Sequence, residues 1–301
     1  MFVIDVQSLL RQDPRDWRVW HTRFELIERG ARHMATRDMT SWETAIAKVV
    51  SEGDTEEIIV RGHRMSDLIG QLSFAEMMFL MLQGRLPTKP QARVLDALLV
   101  ASIEHGIAPP TMIARCYASY GTTIQAAVGA GITAFGDRMG GLGEQLAQML
   151  VARLGATLAA GVPSDAELNA IAEQIVTEAM AAKTRVPGYG IPLHAMDPRA
   201  PKVLEVARQE GVYGSYCRLG AAIEAAIAKA RSGRGIPMNV DGVSAVVALD
   251  LGFDWRTTRL FLLTPRTVSF AAHYLEEQGQ DTTWRHLPAE QIRYVGPEPS
   301  A

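Results

Sequence analysis

The chain has 301 residues, 48% of them hydrophobic and 21% charged, with 30 Lys and Arg against 33 Asp and Glu for a formal net charge of −3. That length and apolar content suit one large domain or two modest ones and exclude disorder for the bulk of the chain. The near-neutral balance argues against nucleic acid as a partner; no run approaches the roughly 18 apolar residues of a membrane span, and without a basic n-region the start reads as cytoplasmic; Cys116 and Cys217, lacking CxxC spacing, exclude a disulfide framework and leave no Cys-built metal site to expect.

Residues 1–40, with Trp17, Trp20 and His21, read as an N-terminal extension that docks on something. Glu57 to Arg61 has a β-branched centre and reads as a strand, one arm of a hairpin. Ser73 and Glu76 form a capping box opening a helix with Phe74, Met77, Met78, Leu80, Met81 and Leu82, stopped by Gly84 and Pro87. Helices are predicted over 90–105, 112–120, 123–135 and 143–159. A second box, Ser164 and Glu167, starts a helix whose Leu168, Ile171, Ile175 and Met180 share a face. Further helices fit 201–210, 217–231, 242–251, and 256–278 with a break at Pro265. The fold class is all-α. The Ala-rich stretch from about 143 to 250 has the composition of a subdomain that slides or closes over a ligand. The last residues, from Pro297, read as frayed.

Chemistry-bearing residues gather at the breaks. Val186, Pro187, Gly188, Tyr189 and Gly190 make a fixed loop whose backbone N–H and C=O groups are suited to a flat heterocycle or a phosphate; an ordinary connection between helices is the bland alternative. Arg199, just before a helix, either forks onto a ligand carboxylate or pairs with Asp197. Asp241 sits where an N-cap is expected, and it is also placed to take a proton from carbon if partial burial raises its basicity. His105 either binds a carboxylate or interacts with the end of its own helix. Arg266 follows Pro265 at the expected helix break, pointing into a cleft or into solvent.

Taken together, these segments resemble the citrate synthase family. The matches include Trp42 to Ile46, Val60 to Gly62, Asp67 to Gly70, Leu72 to Glu76, Gly84 to Pro87, His105-Gly106, Gly140-Gly141, Val186 to Gly190, Asp197 to Arg199, Asn239 to Gly242, Ala272 to Glu276 and Tyr294 to Pro297, in family order. The short length and the wording from Ala272 to Pro297 are closer to the citryl-CoA lyase branch than to the longer synthases. The resemblance implies a two-domain helical fold. Residues 41–142 and 251–301 would form a large domain and 143–250 a smaller closing one. It also implies a homodimer acting on an acyl-CoA and a carboxylic acid, with coenzyme A ester as substrate or ligand and no tightly bound cofactor. The family's catalytic Asp carries over to Asp241, its carboxylate ligands to His105, Arg199 and Arg266, and its adenine-wrapping loop to 186–190. Its two histidines do not: Met139 and Ile191 stand in their places. His194 and His63 are the nearest candidate replacement donors. The expected function is altered chemistry at a CoA thioester: C–C cleavage or formation, decarboxylation or hydration. A non-catalytic relative that binds a CoA ester or a partner is the alternative.

Overall fold

Three antiparallel strands come first, in the order β1 (Ala47–Glu52), β2 (Thr55–Val60) and β3 (His63–Arg64). The computed structural model describes residues 42–53, 55–190, 197–280 and 283–299. Residues 1–40, Ile191 and His194 therefore lie outside the described residues. The expected strand is present as β2, and it has a neighbour on each side. β1 gave little sequence signal because its described side chains, Ala47 to Ser51, are exposed apart from the half-buried Val50. Arg61 pins the sheet to the first long helix, donating from Nε and Nη2 to the Met81 carbonyl at 3.1 and 2.8 Å.

The rest of the described chain is essentially helical: α1 (Met65–Leu68), α2 (Phe74–Gln83), α3 (Lys89–Ser102), α4 (Pro109–Ser119), α5 (Ile124–Thr133), α6 (Leu142–Ala160), α7 (Asp165–Ala181), α8 (Arg199–Gln209), α9 (Ser215–Ala230), α10 (Val240–Asp250) and α11 (Leu260–Gly279). Both expected capping boxes form, at Ser73 with Glu76 and at Ser164 with Glu167, and a third forms at Thr88 with Gln91. Each satisfies two backbone donors reciprocally. Two expectations are corrected. α3 ends at Ser102, so His105 lies in the following loop rather than at the helix end. α11 runs through Pro265 without a break. Proline removes one backbone donor there, and the packing of Phe261, Leu262, Ser269 and Phe270, all buried, holds the helix together around it.

α10 is the centre of the fold. Every residue from Gly242 to Leu249 is buried, which marks a helix covered on all sides rather than one with a wet face. It packs against α3, α6, α8 and α9. Its far end is fixed by Asp250, whose carboxylate accepts from the N–H groups of Gly214, Tyr216 and Cys217 at 2.9–3.0 Å and so caps α9 from outside.

Its near end is fixed by backbone contact. A Cβ on Gly242 would stand 2.3 Å from the Gly188 carbonyl oxygen, and one on Gly143 would stand 2.7 Å from the Asp241 carbonyl oxygen. Neither obstacle is a flexible side chain. Gly242→Ala is therefore expected to destabilise the protein by about 3 kcal/mol, at the upper end of overpacking costs. Urea denaturation monitored by circular dichroism measures it.

Candidate functional site

A cavity of about 560 Å³ opens at the start of α10. Among the described residues its polar wall comes from His105 in the loop after α3, Thr111 on α4, Arg138 in the turn before α6, Arg199 at the start of α8, Asn239 and Asp241 at the start of α10, and Arg266 on α11. Apolar wall comes from Ile107, Phe135, Met139, Leu142 and Leu262.

Asp241 is not the cap of its helix. Asn239 is: its Oδ1 accepts the Gly242 N–H at 3.0 Å, while Asp197 Oδ2 accepts the Val240 N–H at 3.1 Å. With the first-turn donors served by others, the Asp241 carboxylate accepts no hydrogen bond among the described residues and faces the cavity. Burial pushes its pKa up to about 6, against the opposing pull of Arg199 and Arg266, with Asp197 adding to the rise. A carboxylate held that way is poised to exchange a proton near neutral pH.

Of the three arginines on the wall, Arg138 is exposed, and the other two differ in how they are held. Arg199 is largely committed: Nε and Nη2 grip Asp197 at 2.9 and 2.8 Å, and Nη1 lies 3.5 Å from the carbonyls of Ala101 and Glu104. The internal pairing alternative is thus realised, and one Nη2 hydrogen remains for a ligand. Asp197, 2% exposed, would be raised by burial, but the bonds from Arg199 outweigh that and hold it below its ordinary range. Arg266 is a buried and uncommitted cation. It is 4% exposed and its Nε has no partner among the described residues. Its nearest counter-charge, Glu104 Oε1, is 3.9 Å from Nη1, too far for a hydrogen bond. Burial pushes the guanidinium below its usual range, partly offset by Glu104. A buried guanidinium with its donors unspent is equipment for an anion.

Met139 reaches the wall from a tight turn. Gly136 and Met139 exchange both backbone hydrogen bonds, at 2.9 and 3.0 Å, and Gly141 N–H returns to the Gly136 carbonyl at 3.1 Å. Asp137 ties the turn to Arg259 at 2.8 Å, and its carbonyl accepts from Gln145 Nε2 at 2.7 Å.

The loop at 186–190 departs from expectation in one respect. Much of its backbone is already paired rather than free: Gly190 N–H donates to the Pro237 carbonyl at 2.8 Å, the Gly188 carbonyl accepts from Asn239 N–H at 3.0 Å, and the Gly190 carbonyl accepts from Asn239 Nδ2 at 2.7 Å. Val186 and Tyr189 are buried, and the Tyr189 hydroxyl donates to the Gly220 carbonyl at 2.8 Å. Only Gly190 of this loop reaches the cavity wall.

The cavity therefore brings together His105, Arg199, Arg266, Asp241, Met139 and Gly190. His63 is not brought there. It stands on β3 opposite Val60, because the short sheet takes it as its third strand. Sequence reasoning missed Glu104 and Asn239 as organisers of the site; an Asn two residues before Asp241 was the available signal for the cap. Among the described residues no group of three His, Cys, Asp or Glu side chains is arranged to hold a metal ion, and no helix is long and apolar enough to cross a membrane.

Comparison with known proteins follows the same lines. The family description "Citrate synthase, C-terminal domain" matches residues 88–287. Citrate/2-methylcitrate synthase of Bacillus subtilis (strain 168) is 25% identical over 229 residues, 75% of this chain and 57% of that protein. Citrate synthase of Saccharolobus solfataricus is 27% identical over 236 residues, 75% of this chain and 58% of that protein. The chain spans little more than half the length of these curated relatives. Among solved structures, citryl-CoA lyase from Hydrogenobacter thermophilus is similar with a TM-score of 0.74 and 34% identity, covering 86% of this chain and 96% of that one. Citrate synthase from Thermotoga maritima MSB8, at 24% identity and a TM-score of 0.61 over 77% of this chain and 60% of that one, shares the fold. With well over half of its residues inside the family's own domain, on the helical scaffold those structures share, the chain belongs to the citrate synthase family.

Proposed function

We propose that the chain is a lyase- or transferase-type enzyme acting on CoA thioesters of carboxylic acids, with Asp241 moving the proton at the carbon beside the thioester carbonyl. The observation that carries this reading is the Asp241 carboxylate itself, unbonded among the described residues, raised to about 6 and facing a cavity that also presents Arg199 and Arg266. In the cleavage direction, the bond between that carbon and the neighbouring carbinol carbon breaks as a base takes the hydroxyl proton. The electron pair is held on the thioester as an enolate, and the acid form of Asp241 returns a proton to carbon. In the forming direction the carboxylate removes that proton. Arg266, the remaining hydrogen of Arg199, and His105 hold the acid's carboxylates, and 186–190 with the cavity mouth take the coenzyme A ester.

Met139 and Ile191 set the limits of this reading. Where the family resemblance calls for imidazoles, a thioether is at best a weak acceptor and an isoleucine offers no donor. Losing one preorganised donor to a developing oxyanion typically costs about 10²–10³ in rate. Citrate formation is therefore expected to be slow, and the apolar wall around Met139 favours a bulkier or less charged acyl group. His194 is the proposed replacement donor; His63 is not retained in that role. The reading includes a small domain at 143–250 closing on a large one, a homodimer, and a cytoplasmic location.

Deuterium exchange into acetyl-CoA and longer acyl-CoAs tests it. Exchange needs the ionised Asp241, so its rate is expected to rise about tenfold per pH unit up to about 6 and then level, while cleavage of citryl-CoA falls above the same value. No exchange with any thioester at pH 8 overturns the enzyme reading. The missing imidazoles favour a second reading, a non-catalytic relative that binds a CoA ester or a partner. Met139→His combined with Ile191→His separates the two: citrate synthesis or citryl-CoA cleavage in the double variant shows a competent scaffold, whereas no activity and no CoA binding by calorimetry show a structural one.

A further inference from the structure

Glu104 does not line the cavity, yet it touches three of the elements that build it. Its Oε1 accepts the His105 N–H at 2.8 Å and faces Arg266 Nη1 at 3.9 Å. Its Oε2 accepts from the Ser269 hydroxyl and lies 3.3 Å from His273 Nε2, both on α11. Its backbone carbonyl lies 3.5 Å from Arg199 Nη1. The direction of the His273 contact is fixed by its other side: Arg115 Nη1, which can only donate, sits 3.1 Å from His273 Nδ1. Nδ1 must accept, so in the neutral ring Nε2 carries the hydrogen, on the side of Glu104.

We propose that Glu104 is the positioning residue of the carboxylate cradle, locking the His105 loop to the face of α11 that carries Arg266 so that both meet one ligand carboxylate. The inference rests on the proposed acid-binding role of this cavity. Two features make the arrangement more than a brace. Among the described residues, the groups facing the Glu104 carboxylate are the His105 N–H, the Ser269 hydroxyl, the His273 ring and the Arg266 guanidinium, so both of its oxygens are placed to accept. And Glu104 compensates the buried charge of Arg266 from beyond hydrogen-bond distance, which leaves that guanidinium's donors open to a ligand. The bonds from Ser269 and His105 outweigh burial, which acts the other way, and hold the Glu104 carboxyl below its ordinary range.

Glu104→Gln keeps the shape but turns one oxygen into an NH₂ group, which must then face donors on one side or the other. Calorimetry with oxaloacetate, citrate and coenzyme A as separate probes reads the result. The variant is expected to bind the two acids at least tenfold more weakly and coenzyme A within twofold of the unmodified protein. Ser269→Ala, which leaves the carboxylate and removes one donor, is expected to show the same split at about two- to fivefold, and it serves if the first variant fails to fold. Acid affinity unchanged, or acid and coenzyme A weakened equally, overturns the positioning role while the cavity reading stands. If the unmodified protein binds coenzyme A but neither acid, the cavity reading fails and the inference falls with it.

Discussion

Asp241→Asn is expected to slow deuterium exchange at the α-carbon of acetyl-CoA by about 10²–10⁴-fold, the share a positioned general base contributes. Asn is isosteric and leaves α10 capped, because the cap is Asn239 and the outer brace is Asp197. The same change is expected to make the protein more stable in mild alkali. The sign follows from the direction of the shift: a carboxyl raised in the folded state to about 6 binds its proton more tightly there than in the unfolded chain. Its contribution is thus fully favourable below the unfolded value and is lost as pH rises through about 6. At pH 8 the ionised Asp241 costs up to about 3 kcal/mol, less for the part of the carboxylate that faces the open cavity. Asn does not ionise, so the variant's advantage in urea denaturation should be present at pH 8 and shrink towards pH 4. Lost exchange together with gained stability is the signature of a group kept for chemistry. Unchanged exchange would remove Asp241 from the reaction.

What the sequence disclosed about this site was local. Capping boxes at Ser73 and Ser164 were legible because donor and acceptor lie three residues apart, and the helix periods were legible because each face is written along one segment. Asp241 is legible as a chemistry-bearing residue, but of its two sequence roles the cap belongs two residues earlier, to Asn239, since both residues are acceptable caps by composition. The continuation of α11 through Pro265 was hidden, since the helix is held by buried Phe261, Leu262, Ser269 and Phe270 rather than by its own propensity. Glu104 was invisible for a different reason. Its partners Ser269 and His273 lie more than 160 positions away on a helix that only tertiary packing brings alongside. The apolar wall likewise combines residues from separate segments, and no period in the chain connects Ile107, Met139, Leu142 and Leu262.

Behind Glu104 the polar network continues into an ion cluster, and Glu277→Ala is expected to be the most destabilising single charge change in the described chain, by about 3–5 kcal/mol. Glu277 and Arg115 are 3% and 5% exposed. Glu277 accepts from Arg115 Nε at 2.6 Å and from Arg285 Nε and Nη2 at 2.6 and 2.9 Å, joining α11, α4 and the segment after α11. Arg115 also reaches Glu276 and Gln280, so it keeps polar neighbours when Glu277 is removed, but its Nε is left buried with no acceptor. The hydrogen bonds from Arg285 are the main cause, against burial, of a Glu277 carboxyl held below its ordinary range. Such a group stabilises above its unfolded pKa and ceases to as pH falls through the folded value. The gap between Glu277→Ala and the unmodified protein in urea denaturation is therefore expected to be full at pH 7 and to narrow below about pH 4, where the unmodified protein loses what the variant already lacks. Glu277→Leu combined with Arg115→Met should cost less than the two single changes added together, because it removes both charges from the same low-dielectric space. A strictly additive result would mean that Arg115 is held by Glu276, Gln280 and His273 alone, and that the link from the cluster to Glu104 carries no energetic coupling through Glu277.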